Sequence, residues 1–289
     1  MPPLNKILLP VDFSDRSRGA ARYARALAER YDSEILMLHV VEPIRYEFSA
    51  MEFGGTVLTD LAANRTAQAR RRLENFLEAE LSGRRIRRMM LEGDAAQTIV
   101  DVARQEEVGL ITMPTHGYGR FRRFILGSVT AKVLHDAQCP VWTGVHLEEA
   151  SGGELDLRTV LCAVDLGPQS LEPLRWAADL AADFQARLIL VHAYPCIEMR
   201  PGECGDRDLN AELAESVRVR LEELREQAGA KAEMVIECGD APKVVCGAAQ
   251  QHNADLLVIG RGSAAGIFGR LRTNAYAIIR ESPCPVVSV

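Results

Sequence analysis

Residues 6–12 read KILLPVD, and residues 159–165 read TVLCAVD, a second version of the same apolar run ending in aspartate. Three further pairs recur in the same order. ILMLHV at 35–40 matches LILVHA at 188–193, GDA at 93–95 matches GDA at 239–241, and CPV at 139–141 matches CPV at 284–286. Four ordered matches indicate that the chain contains two copies of one structural unit, here called copy one and copy two.

The spacing of the repeats locates the difference in length between the copies. Asp12 and Asp165 are 153 positions apart, whereas the GDA and CPV pairs are 146 and 145 apart. Copy two therefore has a shorter connection between its second strand and its Gly-Asp turn. The polar stretch at 147–154 contains Ser and Gly and is typical of a linker. We predict domains at residues 1–147 and 156–289.

Short apolar runs alternate with helical apolar spacing inside copy one. The patterns predict strands at 7–11, 35–41, 86–91, 110–113 and 141–145, and helices at 17–31, 61–81, 95–106 and 128–135, the first capped by Ser14. This alternation predicts an α/β fold of two tandem doubly wound domains with mostly parallel five-stranded sheets and helices on both faces. The last strands, 141–145 and 286–289, are the expected edges, and their pairing would make an intrachain pseudo-dimer. A homodimer of the chain stays open.

Composition narrows the class of protein. Hydrophobic residues make up 47% and charged residues 26%, which is typical of a globular protein, and the net charge of -6 gives no electrostatic footprint for nucleic acid. No apolar run reaches about 18 residues, and the N-terminus has no signal-peptide pattern, so we expect no membrane span. Seven cysteines without a disulfide framework indicate a reducing, cytoplasmic location. No histidine or cysteine spacing predicts a metal site.

The stretch at 114–128, PTHGYGRFRRFILGS, is the candidate phosphate loop. Glycine-rich backbone can approach a phosphate closely, and a helix that opens at Gly127-Ser128 would attract anions through its free amides. Ser128 can cap that helix or donate its hydroxyl to a phosphate oxygen. The alternative interpretation is a flexible loop followed by an ordinary helix cap. Neither a Walker A pattern nor a GxGxxG fingerprint near the first strand is present.

At these residues the sequence resembles the universal stress protein family, over nearly the whole chain as a tandem. Its nucleotide-binding members carry G-x-x-G, nine residues and then G-[S/T], and Gly117 with Gly127-Ser128 fits that spacing. The PVD at 10–12, the HV at 39–40 and the CPV at 139–141 are also similar to the family. Pro114 stands where the family has its first glycine.

The resemblance implies an adenine-nucleotide site in copy one, with ATP or AMP as ligand. Asp12 would contact the adenosine, the Val40 backbone the adenine edge, and Met113 the ribose. Gly117, Gly127, Ser128 and the Val129 amide would hold the phosphates. The remaining members of the implied site are Pro10, Val11, Thr115 and His116, and His116 would replace the N–H donor that Pro114 lacks. Copy two keeps Asp165 but has Ser263 and Thr273-Asn274 in place of Gly117 and Gly127-Ser128.

Three functions remain open from the sequence. The first is a regulatory nucleotide-binding module of the stress response that acts through unidentified protein partners. The second is a slow ATP hydrolase, for which Asp12 could act as a base but for which no partnered nucleophile is evident, so that no catalytic residue is assigned. The third is a nucleotide-free interaction scaffold. Mg²⁺ would be needed to neutralise a bound triphosphate, although no carboxylate is identified as its ligand.

Overall fold

The computed structural model describes residues 4–43, 55–115, 126–144, 155–197, 206–261 and 270–289. Copy one contains β1 (Lys6–Pro10), α1 (Asp15–Tyr31), β2 (Glu34–Val41), α2 (Gly55–Asn75), β3 (Ile86–Glu92), α3 (Ala95–Gln105), β4 (Leu110–Thr112), α4 (Ser128–Asp136) and β5 (Val141–Thr143). Copy two contains β6 (Thr159–Ala163), α5 (Leu171–Phe184), β7 (Arg187–Tyr194), α6 (Asp206–Ala228), β8 (Glu233–Cys238), α7 (Ala241–Gln251), β9 (Leu256–Ile259), α8 (Arg270–Glu281) and β10 (Val286–Ser288).

The described strands form one sheet in the order β3-β2-β1-β4-β5-β10-β9-β6-β7-β8. Every pair within a copy is parallel, because each strand returns through a helix, and so the predicted five-stranded parallel sheets are confirmed. Buried side chains on the two faces of the sheet belong to two core clusters, one packed against α1 and α5 and the other against α3, α4, α7 and α8. The doubly wound architecture thus follows from strands that are apolar on both faces.

The two copies meet through their last strands. β5 and β10 pair antiparallel, with Trp142 opposite Val287 at the centre of the pairing. Trp142 is fully buried and its ring centroid lies 5.5 Å from that of Tyr23 on α1. The predicted edge-to-edge pairing of these strands is therefore confirmed, and this pairing joins the two halves into a ten-stranded sheet.

The second helix differs from its prediction. We expected it at 61–81, but α2 spans Gly55–Asn75 and a series of turns follows. Leu77 adopts a left-handed φ of 59°, which an α-helix does not accommodate, and Gly83 at φ 75° leads into β3. The apolar spacing continued past Asn75 because Phe76, Leu77 and Leu81 are buried core residues in the turns.

The cysteine pattern also needs correction. Cys196, just after β7, and Cys238, at the end of β8, form a disulfide across a sequence separation of 42 residues. The expected absence of a disulfide framework, which supported the reducing location, is therefore wrong for this pair. The spacing of the cysteines gave no signal, because neighbouring parallel strands bring together residues that are distant in the chain. Cys139, Cys162, Cys246 and Cys284 are free thiols.

Candidate functional site

The carboxyl ends of β1 and β4 lie side by side, because the two strands pair with Leu8 opposite Ile111. The sheet order makes this the place where chain connections leave in opposite directions, towards β2 on one side and β5 on the other. Open parallel sheets bind ligands in the crevice outside such a switch point. Asp12 follows β1 and the candidate phosphate loop follows β4, so the fold brings the two predicted parts of the site to one edge.

Asp12 organises the turn between β1 and α1. Its Oδ1 accepts hydrogen bonds from the Ser14 amide at 3.0 Å, the Ser14 hydroxyl at 2.5 Å and the Ser17 hydroxyl at 2.7 Å. The Ser14 Oγ in turn accepts from the Ser17 amide and caps α1, as predicted. No described group hydrogen-bonds the other carboxylate oxygen of Asp12, so Oδ2 is left as an acceptor on a half-exposed side chain.

An arginine from the long helix holds this turn in its unusual conformation. Phe13 has a φ of 65°, and its carbonyl accepts from the Arg72 guanidinium at 3.3 Å, while the same guanidinium lies 4.5 Å from the centroid of the Phe13 ring. Copy two repeats the device with Leu166 at φ 57° and Arg220 at 3.3 Å from its carbonyl. A left-handed bulky residue costs about 1–3 kcal/mol and needs such support.

Sequence reasoning missed both arginines. Their signal is the repeat itself, since Arg72 and Arg220 occupy corresponding parts of the long helices α2 and α6. His39 and His192 each donate from Nδ1 to a backbone carbonyl at 2.8 Å, that of Val11 and that of Val164. These contacts tie the end of β2 to the turn after β1, and the end of β7 to the turn after β6.

The backbone of Val40 extends beyond the last paired residue of β1. The Val11 amide donates to the Leu38 carbonyl at 2.8 Å, and Pro10 is the last β1 residue in register with β2. Alternate residues of a strand direct their backbone groups to the same neighbouring strand, so Val40, two residues after Leu38, also faces β1. Because β1 ends at Pro10, the N–H and C=O of Val40 lie beyond its last paired residue. Pro10 and Val11 are buried and hold the strand end.

The two ends of the candidate phosphate loop are fastened together. The Gly127 amide donates to the Thr115 carbonyl at 2.8 Å, and the Thr130 hydroxyl donates to the Pro114 carbonyl at 3.1 Å. Both contacts anchor the start of α4 at the carboxyl end of β4. His116 and Gly117, predicted to contact phosphates, lie outside the described residues, which resume at residue 126.

The start of α4 corrects the predicted cap. Gly127, not Ser128, is the N-cap, with φ -62° and ψ 145°, and Ser128 is the first helical residue. The Gly127 carbonyl already accepts from the Ala131 amide, so the helix begins at Ser128, which is the predicted start of the range 128–135. Gly127 brings no capping side chain, so the amides of Ser128 and Val129 keep the positive end of the helix open to an anion.

Met113 and Thr115 lie beneath the loop. Their relative exposures are 4% and 2%, and Met113 packs in the core cluster under α3 and α4. Their side chains therefore form the floor of the crevice, and their nucleotide contacts stay predictions.

Pro114 is compatible with the local backbone. In copy two the corresponding residue is Gly260, which does not adopt a left-handed φ. A Cβ placed on Gly260 would meet only the Pro173 side chain, at an ordinary 3.4 Å. The position therefore does not require a glycine conformation, and the fixed φ of proline is accommodated there.

Comparisons with known proteins support this architecture. The sequence profile of the universal stress protein family matches residues 3–143 and again residues 156–289. The chain belongs to the universal stress protein family. It is 33% identical over 136 residues to the universal stress protein MJ0531 of Methanocaldococcus jannaschii, an alignment that covers 47% of this chain and 79% of that protein. It is 27% identical over 191 residues to a universal stress protein of Mycolicibacterium smegmatis, covering 65% of this chain and 63% of that protein.

The fold comparison extends over both copies. A crystal structure of a universal stress protein from Archaeoglobus fulgidus matches with a TM-score of 0.65 at 22% sequence identity, covering 98% of this chain and 95% of that one. Among the described helices of this universal stress protein, none is long and apolar enough to cross a membrane. No group of three or more metal-binding side chains is assembled within its described residues.

The second Usp copy uses its equivalent edge differently. Asp165 accepts from the Gly167 amide and the Ser170 hydroxyl, both at 2.8 Å, so the strand-end aspartate turn is kept. Arg261, the counterpart of Thr115, reaches into copy one and donates to the Ala137 carbonyl and, at 2.7 Å, to the Cys139 carbonyl. The cation at the start of the copy-two loop is therefore committed to the contact between copies.

Proposed function

We propose that copy one is a regulatory binding site for an adenine nucleotide, ATP or AMP. The observation that carries the proposal is the open start of α4, which the bond between Gly127 and Thr115 holds at the same sheet edge as the Asp12 turn. An uncapped helix N-terminus binds phosphate oxygens through its amides and its dipole. The same edge offers an unused carboxylate oxygen and an unpaired strand backbone, which suit a ribose hydroxyl and an adenine ring.

Each part of the nucleotide has a matching group. Asp12 Oδ2 accepts from a ribose hydroxyl, while Oδ1 stays in the turn that fixes the carboxylate. The Val40 N–H and C=O pair with the adenine edge in the way that a neighbouring strand would. The amides of Ser128 and Val129 hold the phosphates, and Gly127 lets them approach the backbone closely.

Magnesium would accompany a triphosphate but would not be held by a protein cage. No cluster of three carboxylates, histidines or cysteines is assembled within the described part of the chain. Mg²⁺ commonly keeps several waters and binds through substrate phosphates. We therefore expect AMP to bind without the metal and ATP binding to respond to it.

Calorimetry on the full chain tests the proposal, with ATP and AMP as titrants. Asp12→Asn should weaken nucleotide binding for two reasons. The asparagine side chain accepts weaker hydrogen bonds from Ser14 and Ser17 than the carboxylate does, and it lacks the negative charge that favours a hydrogen bond from a ribose hydroxyl. Asp165→Asn is the matched control in copy two and should leave the affinity unchanged. Gly127→Glu should abolish phosphate binding by placing a negative charge at the start of α4.

The outcomes separate the alternatives. If wild type shows no measurable binding at millimolar ATP, copy one is not a nucleotide site and the scaffold interpretation takes its place. If ATP is converted to ADP by wild type but not by Asp12→Asn, the site is a hydrolase as well as a binding module. Equal loss of affinity in Asp12→Asn and Asp165→Asn would contradict the assignment to copy one.

A further inference from the structure

We propose that the cleft between the two copies is a second binding site, for a small amphipathic molecule that carries one carboxylate. The cleft has a volume of about 750 Å³, which is the size of a ligand pocket. One wall is formed by the starts of the copy-one strands and the other by the first turns of α5, and among the lining residues are Asn5, Gly109, Pro140, Leu171 and Trp176. It lies apart from the crevice of copy one, which is at the opposite ends of those strands.

Copy two shows how a carboxylate is bound at the start of such a strand. Asp255 immediately precedes β9, and its Oδ2 accepts from the Arg158 amide at 2.8 Å and from the Thr159 amide at 2.8 Å. These amides open β6, where no neighbouring strand residue is placed to receive them. Two backbone amides that converge on one carboxylate oxygen form strong, charge-assisted hydrogen bonds.

Copy one has the same backbone without the carboxylate. Gly109 stands where copy two has Asp255, and its amide donates to the Lys6 carbonyl at 3.0 Å, as Asp255 donates to Thr159 at 2.9 Å. The amides of Asn5 and Lys6 correspond to those of Arg158 and Thr159, which donate to Asp255. Within the described part of the chain, no group accepts a hydrogen bond from the Asn5 or Lys6 amide. Asn5 and Gly109 both line the cleft, so a ligand carboxylate in this corner would occupy the place of the missing side chain.

The opposite wall contains a buried donor without a partner, and apolar surface. Trp176 is only 3% exposed, lines the cleft, and its indole N–H has no hydrogen-bond partner among the described groups. A buried indole N–H normally has an acceptor, because an unmade hydrogen bond costs about 1–3 kcal/mol. Leu171, with Pro140 and the edge of the Trp176 ring, lines the cleft with apolar atoms for the body of the ligand.

The charges of the rim disfavour a second carboxylate on the ligand. Arg175 contributes a cation to the lining, whereas the exposed side chains of Glu107 and Glu172 contribute two anions. A second carboxylate on the ligand would face these two anions and be repelled. The cleft thus fits a monocarboxylate with an apolar remainder and disfavours a dicarboxylate of the same length.

Calorimetry on the full chain compares benzoate and hexanoate with benzamide and succinate. We expect the two monocarboxylates to bind and the two controls to bind at least about ten-fold more weakly. Gly109→Asp, which copies the arrangement of copy two, should abolish benzoate binding and raise the melting temperature. Gly109→Ala, which adds a Cβ without the carboxylate, should keep binding. Asp12→Asn should leave benzoate binding unchanged, because the cleft is independent of the nucleotide site.

A second variant tests the rim without touching the backbone. Glu107→Gln combined with Glu172→Gln removes two exposed anions and should strengthen succinate binding at least about five-fold, with a smaller effect on benzoate. The proposal is overturned if benzoate and benzamide bind equally, if neither monocarboxylate binds wild type, if Gly109→Asp binds benzoate as wild type does, or if the double variant still rejects succinate.

Discussion

Removing the guanidinium of Arg261 tests how the two copies are held together. This side chain leaves copy two and donates to the carbonyls of Ala137 and Cys139 at the end of α4, the latter at 2.7 Å. Copy two supplies the equivalent bond internally, because the Ser282 hydroxyl donates to the Cys284 carbonyl at 2.7 Å. Copy one has Ala137 at that position and no hydroxyl to use, so Arg261 from the other copy takes the role.

The expected loss follows from these bonds. Hydrogen bonds that involve a charged group contribute about 1.5–3 kcal/mol each in favourable cases. Burial lowers the pKa of Arg261, because its charge is partly desolvated. In Arg261→Ala, water that enters the vacated space would hydrogen-bond to the two carbonyls and replace part of the lost interaction. We therefore expect Arg261→Ala to lower the free energy of unfolding by about 1–3 kcal/mol rather than by the full sum.

Urea denaturation followed by circular dichroism measures this change. Adding Ala137→Ser to Arg261→Ala should recover about 1 kcal/mol, because the serine can donate to the Cys139 carbonyl as Ser282 does in copy two. Ala137→Ser alone should have little effect, because Arg261 already occupies that acceptor. A double-mutant cycle then gives a coupling energy. The reasoning is refuted if Arg261→Ala changes stability by less than about 0.3 kcal/mol, or if the serine contributes equally in both backgrounds.

Three further predictions concern the core and the charged groups. Trp142→Ala should destabilise the protein by about 3–5 kcal/mol in urea, because a fully buried ring is removed where the copies join; a loss under about 1 kcal/mol would contradict that role. Hydrogen bonds from Arg87 and then Lys6 lower the pKa of Glu106 to about 2, so its stabilisation is present above the ordinary pKa of 4.5 and is lost as pH falls towards 2. Glu106→Gln should remove the part of the acid-induced loss of stability that comes from protonation of Glu106. Urea denaturation at a series of pH values measures this, and the same decrease in the free energy of unfolding between pH 4.5 and 2 in both proteins would argue against it. Burial lowers the pKa of His192 below its ordinary 6.5, so stability should fall as pH drops below 6.5 while unfolded chains take up the proton; an NMR titration midpoint at or above 6.5 would disprove this.

The duplication and the sheet could be predicted because they depend on local patterns. Short apolar runs repeated at fixed spacing identify the strands, and right-handed crossovers then fix a parallel order. The edge pairing of β5 and β10 followed from the same logic and is confirmed. The end of α2 could not be predicted, because Leu77 belongs to the buried core in either a helix or a turn and its apolar character is the same in both.

The candidate site was only partly predictable for a different reason. Asp12 could be recognised from its place after a strand, but its turn depends on Arg72, which lies about sixty residues away. The role of Arg261 and the disulfide of Cys196 with Cys238 depend on neighbours created by the folded sheet. Periodicity carries no information about such long-range side-chain contacts, and only alignment of the two copies could have suggested the arginine pair.

The two loop starts use the same position in different ways. Thr115 uses its carbonyl to fasten Gly127 and keeps the start of α4 at the edge of copy one. Arg261, at the matching position, places its side chain against the end of α4 and its amide against the Val289 carbonyl. The same position thus fastens the start of α4 in copy one, whereas in copy two it forms a contact between the copies.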